Sequence, residues 1–448
     1  MSEVHWIRGA FRRGLIWLVF LGPFFFLSYG SANHYAAARD GVTSFYFVWE
    51  RGIPLWPWTI IPYWSIDLLY GFAFLCCHDK AETNRLGLRL LSAQLIAVTC
   101  FFLWPLHFAF ERPAVDGLTG ALFSVLTQFD RPYNQAPSLH ITLLVIVWRQ
   151  FSMLEAPSAV RALIHTWAFL IGISVLTTWQ HHFIDVPTGL ALGLLCLWLW
   201  PDTGKTPLRK TNHAKRPALA ACYFLGALLV LALALAMGGI WLALGWPALS
   251  LALVAFNYAW AGSAGFQKHD GRHSLAARWL FAPYMLGAWI NSRLWTRHRP
   301  FPDLVANGVW LGRLPTAREF AAWARMRDDE TALFDLTAEL PAPALPASAY
   351  YDGLPCLDLA PVPAQTLLDA AHRIEALRGQ NRDVWVACAL GYSRSAAAMA
   401  AWLHHAEKAA SIREAVTLLR QARPQVTLDT DNLARLDEFA HLATQDAH

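Results

Sequence analysis

Between residues 14 and 260 the chain repeats long apolar runs separated by short polar gaps, at 14–30, 56–77, 90–110, 139–154, 163–178, 186–200, 218–237 and 240–260. A helix needs about 20 apolar residues to cross the hydrocarbon layer, so these read as eight membrane spans, several of them short by about a turn. A ninth stretch, 275–295, mixes Trp and Leu with Arg278, Pro283, Asn291 and Arg293 and reads as an interfacial helix along the inner leaflet. Beyond residue 297 the pattern changes. "GVWLGRLP", "ALFDLTAELP" and "DVWVA" read as strands, "AQTLLDAAHRIEAL" has helical spacing, and the chain after Arg394 reads as helix almost to its end. The predicted architecture is an α-helical polytopic membrane bundle of about eight spans, over 1–262, followed by a linker with an interfacial helix at 263–300 and an α/β domain at 301–448.

Composition sharpens this picture. The chain is 56% hydrophobic and only 15% charged, with 22 Trp and 26 Phe, which suits lipid-facing surfaces and interfacial belts. Its net charge of +4 resides mainly in short loops and argues for membrane orientation and against nucleic-acid binding. Lys80, Arg85, Arg89, Arg149, Arg161 and "KTPLRKTNHAKR" fall on the same side as Arg8, Arg12 and Arg13. The positive-inside rule makes that side cytoplasmic and puts the loops carrying Asp130–His140 and Thr177–Gly189 outside. A bacterial inner membrane with the C-terminal domain in the cytoplasm is the expected location. The seven cysteines show neither zinc spacing nor a disulfide framework.

The most particular stretch is "VWVACALGYSRSAAAMAAWL". A buried strand ends in the thiol of Cys388, a glycine-bearing loop follows, and Arg394 opens a helix. Such a loop can turn its amides inward on an anion at the helix N-terminus, and the same field depresses a thiol pKa. Cysteine, five residues, arginine and serine resemble the signature of the dual-specificity branch of the cysteine-dependent phosphatases, over roughly 309–440. The resemblance implies a nucleophile in Cys388, a bidentate phosphate ligand in Arg394, a leaving-group hydroxyl in Ser395, and a phosphate cradle in Ala389, Leu390, Gly391, Tyr392 and Ser393. It also calls for an acid on a preceding loop, and "CLDLAPVPAQ" supplies Asp358, with Asp352 as the fallback. Asp335 reads instead as the end of a core strand. Ala387 replaces the family histidine before the cysteine, which should slow the enzyme but removes no group that touches phosphate.

Two further clusters lie on the predicted outer face, "DRPYNQAPSLH" and "TTWQHHFIDVPTG". His181 and Asp185, four apart, share a helix face, so the carboxylate can orient the imidazole for attack while His140 serves as acid. These residues resemble the type 2 phosphatidic acid phosphatase superfamily, particularly its inositol phosphorylceramide synthase branch, over about 56–200. The resemblance implies a phosphohistidine at His181, Asp185 as its orienter, His140 as acid and Ser138 as a phosphate ligand. The family's first motif is degraded: Arg112-Pro113 remains, but Pro105 stands for its lysine, and Val175 occupies the place of the third-motif arginine. Arg112 and Arg131 are left to carry the phosphate.

The expected protein is therefore a membrane enzyme with two phosphoryl-processing sites, both metal-free and without cofactors. Its expected substrates are a phospholipid or lipid phosphate at the histidine site and, at the cysteine site, a phosphorylated lipid head group or soluble inositol-like phosphate, then phosphoprotein. The alternative is a phospholipid head-group transferase carrying an inactive phosphate-binding domain.

Overall fold

A computed structural model of the chain describes residues 2–210, 216–327 and 330–446 and divides it into two compact units, Met1–Thr206 and Pro207–His448. The basic stretch at 205–216 lies partly outside the described residues, at 211–215.

In the first unit the apolar runs become α1 (Ser2–Ala37), α2 (Ile60–Leu75), α3 (Lys80–Leu103), α4 (Gly117–Phe129), α5 (Leu139–Ser152), α6 (Ser158–Thr177) and α7 (Asp185–Leu199). Two of their starts, those of α3 and α5, carry side-chain caps. Asp79 accepts the Glu82 N–H at 2.7 Å before α3, and Ser138 accepts the Ile141 N–H at 3.3 Å before α5. The run expected at 90–110 stops at Leu103, and residues 104–116 form a loop bearing Arg112. Helix α4 is an addition to the predicted elements; its 13 residues are too few for a span. Arg89 and Arg149, read as orientation markers, both close on Asp202 at 2.8 Å.

Helices α5 and α7 cross closely because position 189 is glycine. A β-carbon there would lie 2.6 Å from the Ser138 carbonyl oxygen and 2.9 Å from Ile141 Cβ. The crossing joins the starts of the two helices, where the Ser138 N–H donates to the Asp185 carbonyl at 3.1 Å.

The second unit opens with α8 (Pro217–Met237) and α9 (Gly245–Phe256), an apolar hairpin that ends in a π-helical turn, Asn257–Ala261. Among the described residues, five stretches are long and apolar enough to cross a membrane: Gly9–Ala37, Lys80–Leu103, Ser158–Thr177, Pro217–Met237 and Gly239–Phe266. Helices α5 and α7 are apolar but shorter. Side chains such as Leu27 on α1 and Leu229 on α8 stand 70% and 73% exposed, as on helices that face hydrocarbon.

A small antiparallel hairpin follows, β1 (Lys268–His269) and β2 (Arg272–His273), then α10 (Leu275–Leu280) and α11 (Ala282–Trp295). The stretch read as one helix at 275–295 is thus two, divided at Phe281 with Pro283 at the start of the second.

The remaining chain builds β3 (Asp303–Ala306), β4 (Val309–Arg313), α12 (Ala317–Ala324), β5 (Glu330–Thr337), β6 (Tyr350–Cys356), α13 (Ala364–Gly379), β7 (Arg382–Cys388), α14 (Arg394–His405), α15 (Ile412–Ala422) and α16 (Thr430–Asp446). The sheet order is β3-β4-β7-β5-β6; β3 runs antiparallel and the others are parallel. Strand β7 sits at the centre and alternates by the period of a strand. Val384 and Val386 pack with the helices α13 to α16, whereas Trp385 and Ala387 pack with Phe320 and Trp323 of α12. The α/β fold expected for the C-terminal region is the observed one.

Residues 257–296 pack into this α/β fold although the sequence assigns them to the membrane bundle and a linker. Lys268 Nζ reaches Asp335 Oδ2 at 2.6 Å and the Thr337 carbonyl and hydroxyl at 2.8 Å, all buried. Ser292 on α11 donates its hydroxyl to the Ala389 carbonyl, while Leu286, Trp289, Ile290 and Leu294 on the same helix remain exposed.

Candidate functional site

Strand β7 delivers Cys388 to the carboxyl edge of the parallel sheet, where open α/β folds place their ligands. Residues 389–393 then turn back sharply into α14. Gly391 makes the turn possible: its φ is +75°, and a β-carbon would meet the Gly312 backbone at 2.3 Å. The Gly391 N–H donates to Cys388 Sγ at 3.2 Å, and the Ser395 hydroxyl donates to the same sulfur at 3.1 Å. Neighbours hold the loop from outside: the Thr427 N–H donates to the Tyr392 carbonyl at 2.9 Å, and the Leu314 N–H to the Cys388 carbonyl at 2.7 Å.

Arg394 lies buried in a cage that sequence reasoning only half anticipated. Its Nη1 and Nη2 pair with the two carboxylate oxygens of Glu339 at 2.8 and 2.7 Å, and Nη1 also donates to the Cys356 carbonyl at 2.8 Å. Asp358 Oδ1 stands 3.0 Å from Nη2. The buried Nε has no hydrogen-bond partner. Glu339 was missed because its role is spatial: it follows β5, and only the parallel pairing of β5 with β7 brings that turn beside the loop.

The charges settle accordingly. Burial alone would push the Cys388 thiol up, but the Arg394 guanidinium and the Ser395 hydroxyl and amide outweigh it and hold the thiol below its ordinary value. Burial raises the Asp358 carboxyl above the usual carboxylate range, against the pull of Arg394 and with help from Glu339. Burial likewise opposes Glu339, yet Arg394 keeps its carboxyl low. Cys356 is a free buried thiol pushed up to about 12 by burial, unsuited to nucleophilic work. Asp352 is engaged with Arg373 at 2.8 Å, and Asp335, two residues before the end of β5, accepts from the Thr337 amide at 2.7 Å. Ala387 is wholly buried in the apolar cluster beneath the loop.

In the first unit, a cavity of about 420 Å³ is walled mainly by apolar side chains of α1, α2, α4 and α5, with His140, His181, Asp130 and Asp67 among its lining. His181 Nδ1 is 3.2 Å from Asp185 Oδ2, and that oxygen also accepts the His182 N–H at 3.0 Å. His140 stacks on Tyr63 with ring centroids 4.0 Å apart, and its buried Nε2 has no hydrogen-bond partner. Ser138 is buried and caps α5. Arg112 donates from Nε and Nη2 to the Thr178 and Trp179 carbonyls at 3.0 and 3.1 Å, holding the turn that leads to His181. Arg131 is exposed and outside the cavity lining. His182 is fully occupied, with Glu50 on Nδ1 and the Ala109 N–H on Nε2, each at 3.0 Å.

No curated protein matches the chain. Among solved structures, human DUSP28 is 22% identical, covering 32% of this chain and 99% of its own, with a TM-score of 0.29. PTPMT1 in complex with PI(5)P is 18% identical, covering 33% and 99%, with a TM-score of 0.28. Human tyrosine phosphatase-like serine/threonine/tyrosine-interacting protein is 17% identical, covering 32% and 98%, with a TM-score of 0.29. Residues 332–441, the segment that holds Glu339, Asp358, Cys388 and Arg394, match the family model of the dual specificity phosphatase catalytic domain, so the C-terminal part of this chain carries a phosphatase domain of the dual-specificity type.

Proposed function

We propose that the chain is a membrane phosphatase with two separate phosphoryl-transfer sites. At the cysteine site the Cys388 thiolate attacks phosphorus, Asp358 protonates the departing oxygen, and water then hydrolyses the phosphocysteine while Ser395 stabilises the leaving thiolate. The incoming phosphate replaces the Asp358 carboxylate on Arg394 Nη2 and takes up the unpartnered Nε, the bidentate grip that a guanidinium provides. That exchange frees Asp358 to act as acid. The observation that carries this reading is one sulfur that accepts from an amide and a hydroxyl, with the caged Arg394 guanidinium close enough to favour its anion. A thiol held low beside a carboxyl held high also favours a working site over an inactive phosphate-binding pocket.

At the histidine site, His181 oriented by Asp185 is the nucleophile and His140 the acid. The apolar cavity walls favour a phospholipid or lipid phosphate, and transfer to a second lipid is the competing outcome to hydrolysis. For the cysteine site we place lipid phosphate ahead of phosphoprotein, because apolar helices adjoin it in the same unit. Purified full-length protein in mixed micelles tests both sites: C388S and H181A should each remove a different part of phosphate release from lipid substrates. Label passing to another lipid through the histidine site would mark it as a transferase. Unchanged release in C388S would refute the cysteine site.

A further inference from the structure

The π-helical turn that closes the apolar hairpin α8–α9 carries Tyr258, which is 1% exposed. Its hydroxyl donates to the backbone carbonyl of Asp358 at 2.9 Å. Tyr258 is itself packed against Tyr223 of α8, ring on ring at 5.4 Å, and Tyr223 meets Tyr284 of α11 edge to face at 5.8 Å. The acid loop it touches is under strain. Leu359, the residue after Asp358, has a φ of +50°, a left-handed conformation that a branched side chain adopts at a cost, and its own side chain is 64% exposed. A loop so built needs an outside restraint to keep the carboxyl 3.0 Å from Arg394.

We propose that Tyr258 is a positioning residue for the general acid, so that the end of the membrane hairpin sets the reactivity of the cysteine site. This rests on the phosphatase reading above and adds a role for a segment that lies before the matched residues 332–441. The hydroxyl fixes the Asp358 carbonyl, the carbonyl fixes the left-handed turn, and the turn aims the carboxyl at the leaving oxygen.

The test measures the part of phosphate release that C388S removes, in the full chain in detergent, with p-nitrophenyl phosphate and phenyl phosphate as probes. Proton donation matters more for phenol, the poorer leaving group. Tyr258→Phe should therefore lower kcat on phenyl phosphate by about tenfold, leave p-nitrophenyl phosphate nearly unaffected, and weaken the alkaline limb of the pH profile. In an Asp358→Asn background the same substitution should cost nothing more, because the two act as one unit. Equal losses on both probes, or full additivity with Asp358→Asn, would show a merely structural tyrosine and overturn the proposal. If C388S removes none of the release, that would instead bring down the phosphatase reading and this role with it.

Discussion

In the proposed mechanism two ionisable groups at the cysteine site hold opposite protonation states for the first step. Cys388 is held low, so activity should rise from the acid side as the thiolate forms; Asp358 is held high, so its proton is lost only at higher pH, and activity then falls. The kcat/KM profile is expected to be bell-shaped, and Asp358→Asn should remove its alkaline limb and lower the rate about 10²-fold on a poor leaving group. Arg394→Lys keeps the charge but loses the planar fork that Glu339 orients, so a fall of about 10²-fold in kcat/KM is expected, read with the same probes. Glu339 is legible only in three dimensions, since nothing in "LFDLTAELP" separates it from a solvated turn residue.

At the scale of elements, the β1–β2 hairpin acts as a plug. Lys268 satisfies Asp335 in a region where both side chains are at most 1% exposed. Removing one partner of a buried pair leaves the other charge uncompensated, so Lys268→Ala should cost about 3–5 kcal/mol, measured by chemical unfolding of the second unit. Gly391→Ala should abolish the cysteine-site activity, because it strains the loop's positive φ and pushes the loop away from the end of β4, and circular dichroism alongside the assay would show whether the sheet stays folded. The strands and helices themselves were readable in advance: "DVWVA" alternates faces as a strand must, and the Ala-rich run after Arg394 is helix α14. Helix α4 and the break at Phe281 escaped that reading because a 13-residue apolar helix has the length of a buried one and Pro283 sits where a helix tolerates proline.

For the whole molecule, the second unit reaches back to Pro207, well before the residues that match the phosphatase family. A fragment beginning at residue 301 leaves out Lys268, Tyr258 and Ser292. It should unfold at lower denaturant than a fragment beginning at 207 in detergent, and equal midpoints would refute this account of the unit. In the first unit, His140 and His181 meet in one cavity only because α5 and α7 cross at Gly189.

Taken alone, the amino-acid order determined what is local. Apolar runs become helices because backbone polar groups in an apolar setting must bond within their own segment. Cys388, Gly391 and Arg394 lie together because five residues joining a strand to a helix leave the chain little choice. Tertiary structure decided what is distant: the Glu339 cage, the Lys268 plug and the reach of Tyr258 to the acid loop. Those contacts join residues 55, 67 and 100 positions apart, and no short-range pattern encodes them. They exist because the parallel sheet and the hairpin packed on it bring separate polar groups into one buried place, where each must find a partner.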